Sequence, residues 1–125
     1  MSDGTGGGAA PDPASVDWTR LRELREEIGD AEFAEVVDLF LTEADAMIDG
    51  LAGMAPSGYE AALHALKGAA TNLGLTGLAA LCAGGERLAA SGRPGEVRIA
   101  GVLTAYAAAR AALVSGLGTL RAGDG

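Results

Sequence analysis

The stretch Tyr59-Glu60-Ala61-Ala62-Leu63-His64-Ala65-Leu66-Lys67-Gly68-Ala69-Ala70-Thr71-Asn72-Leu73 decides how this chain folds. At about 100° per residue, a helical wheel puts Tyr59, Ala62, Leu63, Leu66, Ala70 and Leu73 on one arc, with His64 roughly 150° from its centre. Glu60, Lys67, Gly68 and Thr71 flank the imidazole. The segment is therefore an amphipathic helix that needs an apolar partner on one side and carries the chain's one histidine on the other.

The sequence on either side repeats this pattern. Pro56-Ser57-Gly58 breaks the chain before Tyr59, and Gly74 punctuates it after Leu73. Upstream, Phe33, Val37, Phe40, Ala44, Met47, Ile48 and Leu51 recur at three- and four-residue steps, which predicts a helix from Asp30 to Gly53 with acids on its other faces. Before it, Trp18, Leu21, Leu24, Arg25 and Ile28 share a stripe, predicting a short helix from Val16 to Ile28 that Gly29 stops. Downstream, helices are predicted over Thr76–Ala90 and, after the Ser91-Gly92-Arg93-Pro94-Gly95 turn, over Glu96–Leu120.

Alanine, at 27 residues, and leucine dominate these segments and leave strands little to recruit. Long helices with short connections pack as antiparallel neighbours, so the predicted fold is all-α: an up-down-up-down four-helix bundle with a short additional N-terminal helix. Residues 16–120 form the bundle, and the Gly/Pro-rich residues 1–15 and residues 121–125 are expected to be disordered tails. Gly84-Gly85 in the fourth helix, at about 1 kcal/mol each, predicts a kink or a close helix approach. The glycines of the last helix predict fraying near its end.

At 125 residues the chain holds one domain, large enough to fold on its own core. One His and one Cys cannot build a zinc cluster, and the lone Cys82, between Leu81 and Ala83, reads as an inert buried thiol of a reducing compartment. A net charge of −8 without a basic run speaks against nucleic acid or an anionic membrane as partner. No run approaches the roughly 20 uninterrupted apolar residues of a membrane span, and the first residues lack a signal peptide's basic and apolar regions, so a cytoplasmic location is expected.

The chemistry that remains gathers at His64. The chain has eight Arg and a single Lys, and that Lys stands one helical turn after the single His. Gly68 then removes a side chain beside the imidazole, at a helix cost near 1 kcal/mol. A bulky anion approaching the ring would explain all three residues: the glycine leaves room and the ammonium meets the anion's oxygens. A phosphoryl group fits, because an exposed imidazole is mostly a neutral nucleophile at cytoplasmic pH. No Walker A segment and no hydrolytic constellation accompany it, so the chain neither starts from ATP nor hydrolyses.

The run His64-Ala65-Leu66-Lys67-Gly68, followed by Leu73-Gly74, resembles the signature of histidine-containing phosphotransfer (HPt) domains. The acidic helix with Phe40-Leu41, and Leu81-Cys82 and Glu86 downstream, extend the resemblance over about residues 30–91. It implies a phosphorelay carrier rather than an enzyme. His64 would take a phosphoryl group from a receiver-domain aspartate and pass it to another receiver, Lys67 would stabilise the phosphoryl oxygens, and Gly68 would admit the receiver's loops. The Mg²⁺ would belong to the receiver and no cofactor to this chain. The implied partners are response-regulator receivers and a hybrid histidine kinase, and the chain itself is expected to be a monomer.

A docking receiver would cover Glu60, Ala61, Thr71, Asn72 and Leu75, together with a flank of the second helix made of Ala34, Leu41, Asp45 and Ile48. An alternative reading is a binding-only module that docks and inhibits a receiver or kinase without carrying phosphate. A third is a plain helical bundle with an accidental motif.

Overall fold

The computed structural model describes residues 12–124. It contains five α-helices: α1 (Trp18–Ile28), α2 (Asp30–Ala52), α3 (Tyr59–Asn72), α4 (Thr76–Ala90) and α5 (Ile99–Asp124). Single 3₁₀ turns at Pro56–Gly58 and Pro94–Glu96 join α2 to α3 and α4 to α5, and no strand occurs among the described residues. α2 packs on α3 and α5, α4 packs on the same two, and α1 lies against α2. The short connections make each sequential pair antiparallel, which closes the four longer helices into a bundle.

Local chemistry sets the ends. The Asp17 carboxylate accepts a hydrogen bond from the Arg20 amide and caps α1, and Gly29 at φ +87° stops it. α5 begins at Ile99, three residues later than the sequence predicts. Pro94 starts a 3₁₀ turn and Val97 takes an extended conformation that plants its side chain in the core. At the other end α5 continues to Asp124, so the tail expected from residue 121 is helical through 124.

The tail expected over residues 1–15 falls mostly on residues 1–11, which lie outside the described residues. Residues 12–15 instead form a turn in which the Ala14 amide donates to the Asp12 carboxylate and the Ser15 amide to the Asp12 carbonyl. The Asp17 amide then donates to the Gly74 carbonyl at 2.7 Å and ties the entry of α1 to the α3–α4 corner.

The core is apolar throughout, and no charged or polar side chain is buried among the described residues. Leu63, Leu66, Ala70 and Leu73 fill it from α3, as the wheel predicts, with Ala69 added; Leu51, Leu78, Cys82 and Leu113 meet them from the other helices. Burial first, then the nearby Glu86 charge, pushes the Cys82 thiol up to about 12, so the sulfur is an inert packing atom.

α4 runs unbroken through Gly84-Gly85, and the close approach is the realised alternative. A Cβ on Gly85 would stand 2.9 Å from Leu63 Cδ1 and 3.3 Å from Val97 Cγ1. The backbone of α4 thus rests directly on α3, one residue from His64.

One helix, over Ile99–Thr119, is long and apolar enough by composition to cross a membrane, although Arg110 interrupts it. Counting only uninterrupted apolar runs misses it. In the bundle its Val102, Ala105, Tyr106, Ala109 and Leu113 are buried against the other helices.

Candidate functional site

The site lies on the outer face of the α3–α4 hairpin. His64 projects from the second turn of α3, opposite the stripe that Leu63 and Leu66 bury, and its side chain is 70% exposed. Lys67, one turn on, lies against the surface at 35% exposure. Between the two helices stands Glu86 of α4, 20% exposed, whose carboxylate reaches both. Its Oε2 lies 2.8 Å from His64 Nδ1 and its Oε1 lies 3.0 Å from Lys67 Nζ.

This geometry assigns the imidazole. An ionised carboxylate can only accept, so Nδ1 carries the ring proton and donates it to Glu86, leaving Nε2 with its lone pair facing solvent. The Lys67 ammonium, and after it the His64 N–H, hold the Glu86 carboxyl below the usual carboxylate range. Oε1 is enclosed, with the Lys67 ammonium 3.0 Å away as its partner.

Gly68 is exposed, and a Cβ there would meet nothing within 4 Å. Packing does not require the glycine; the bare patch beside the ring faces outward. Thr71 donates its hydroxyl to the Lys67 carbonyl at 2.8 Å, which occupies that hydroxyl on its own helix. Among the described residues no group of three or more His, Cys, Asp or Glu side chains could hold a metal ion.

The predicted docking residues separate into two sets. Glu60, Ala61, Thr71 and Asn72 are exposed around the imidazole on α3. Leu75 is fully buried and cannot face a partner, because the chain leaves the helix at Leu73 and the wheel no longer describes it. Leu41 is also core, at 7% exposure, and Ile48 is half-buried against the same core.

Asp45 turns away from α3 toward α5, where it accepts from Arg110 Nε at 2.9 Å and Nη2 at 3.0 Å and from the Tyr106 hydroxyl at 2.5 Å. Ala34 is exposed, but in a groove that it lines with Arg25, Phe33, Val37 and Leu117, none of them from α3. Of the α2 flank, then, Leu41 is core and Asp45 is engaged by α5. What the docking prediction lacks is Glu86, 22 residues from His64 in sequence and in contact with it in space.

The sequence profile of the Hpt domain matches residues 35–121, which takes in α3, α4 and nearly all of α2 and α5. No curated protein and no solved structure matches the chain.

Proposed function

The chain belongs to the Hpt domain family, whose members transfer phosphoryl groups through a histidine in phosphorelays with receiver domains and histidine kinases; from that premise we propose that it carries a phosphoryl group on Nε2 of His64 from one receiver aspartate to another. The carrying observation is the single exposed imidazole whose Nδ1 is held by Glu86 while Nε2 stays open beside Lys67 and the bare Gly68 surface.

In the accepting step the Nε2 lone pair attacks phosphorus, the bond from phosphorus to the receiver carboxylate oxygen breaks, and its electron pair stays on that carboxylate. The ring becomes an imidazolium with N–P at Nε2 and N–H at Nδ1, a charge that Glu86 faces directly. Donation reverses each of these changes, so no proton leaves the ring in either direction. The Mg²⁺ that such a transfer uses is assigned to the receiver, and the phosphorelay to the cytoplasm, with this chain a monomeric carrier lacking an ATP site of its own.

The test is to incubate the purified protein with phosphorylated receiver domains of the source organism. An acid-labile, alkali-stable phosphoadduct that is lost in His64→Gln is the expected result. Receivers that bind the protein but leave it unphosphorylated would establish the binding-only reading instead.

A further inference from the structure

The position of Glu86 bears on which way the phosphoryl group moves. Before phosphorylation its one carboxylate satisfies both cationic or proton-bearing neighbours, His64 Nδ1–H at 2.8 Å and Lys67 Nζ at 3.0 Å. Glutamate and lysine cancel, and the site is close to neutral. A phosphoryl group arriving on Nε2 brings a charge of about −1.5 to −2. Two things then change. Lys67 now has two anions to serve, Glu86 Oε1 and the phosphoryl oxygens, and Glu86 faces the positive charge that the ring gains at Nδ1–H.

We infer that Glu86 makes phospho-His64 a donation-biased state, by holding Lys67 back from the phosphoryl oxygens and by keeping on Nδ1 the proton that makes the ring a good leaving group. The inference rests on the carrier reading and concerns the regulation of the same site. Glu86 is a positioning residue here, acting through His64 and Lys67 rather than on the phosphoryl group by contact.

The decisive variant is Glu86→Gln, which keeps an oxygen able to accept from Nδ1–H and removes the charge. Both proteins are loaded at His64 with phosphoramidate, and the decay of the phosphohistidine is followed by ³¹P NMR at neutral pH. The expected result is a phosphohistidine that lives about threefold to tenfold longer in Glu86→Gln, because the ring loses the carboxylate that holds its Nδ1 proton and Lys67 loses the anion that competes for it. The gain should shrink at high salt, which a purely structural role would not produce. It should also shrink when Lys67→Ala is present in both backgrounds, because no ammonium is then left to compete for.

An equal or shorter lifetime in Glu86→Gln, with a thermal melt like wild type, overturns the inference. Exchange with a phosphorylated receiver supplies the second readout, where the partition should move toward phospho-His64 by the same factor. The carrier reading fails separately, when no receiver exchanges phosphoryl groups with either protein although phosphoramidate loads both. In that case the lifetime comparison still decides what Glu86 does.

Discussion

At the scale of single residues, Gly68 is the sharpest case of function set against stability. Alanine is about 1 kcal/mol better than glycine within a helix, and nothing in the fold obstructs a methyl group at this position. Gly68→Ala should therefore raise the melting temperature by a few degrees in a calorimetric scan while slowing phosphoryl exchange with a receiver. A rise in stability with unchanged exchange would remove Gly68 from the site. His64→Gln should abolish phosphorylation and leave the melt where it was, because the ring is 70% exposed and buries little.

Residue scale is also where the limits of the sequence are clearest. His64, Lys67 and Gly68 were legible because all three sit on one helix, where spacing alone gives their relation. Glu86 was not placed in the site, since its contact with His64 depends on how α3 and α4 fold back at Gly74. His64 stands ten residues before that glycine and Glu86 twelve after it, nearly level across the antiparallel pair. Counting outward from the turn is the signal that finds it. Phe40 and Leu41 show a different limit: two adjacent apolar residues on a helix cannot both head the stripe, and only the packing of α3 and α5 settles that Leu41 goes inward.

At the scale of helices, two contacts hold the bundle in register, and they differ in kind. The Asp45 cluster joins α2 to α5 at the surface. Its Arg110 partner, foremost among the causes, lowers the Asp45 carboxyl from its ordinary value of 3.8. A carboxyl lowered by folding contributes stability that is fully present above its unfolded value and is lost as pH falls through the folded value. Asp45→Asn should thus cost up to about 1 kcal/mol in urea melts at pH 7, since the pair is partly exposed. The difference from wild type should shrink as pH falls below the ordinary carboxyl value and through the lowered one. A constant difference across that range would mean that the cluster acts by packing.

The α3–α4 contact is steric. Gly85→Val would drive a branched side chain into Leu63 and Val97, and overpacking of this sort costs typically about 1–3 kcal/mol. Because the clash lies next to both His64 and Glu86, the variant should also lose the hydrogen bond between them. NMR of the His64 ring would report this as a loss of the slowly exchanging Nδ1 proton.

At the scale of the whole molecule, the four-helix architecture follows from periodicity and short turns, and the sequence carried both. The start of α5 did not follow, because the burial of Val97 is a tertiary effect with no local marker, and at its other end the helix runs on to Asp124. The net charge of −8 has a kinetic consequence of its own. A receiver's phosphoacceptor pocket is acidic, so long-range repulsion opposes the encounter. Raising salt from low to physiological concentration should speed association with a receiver in stopped-flow measurements. Association that slows with salt would instead place a basic face on the partner.

The backbone of α4 lying on Leu63 bears on turnover. With no side chain between the helices at Gly85, the separation of the α3 and α4 backbones is limited by hard atomic radii rather than by rotamers that could drift. On the carrier reading, donor and acceptor proteins therefore meet the same pair of backbones, and only side chains move between one visit and the next. No backbone rearrangement then stands between loading and release, which would suit a relay that hands a signal on instead of storing it.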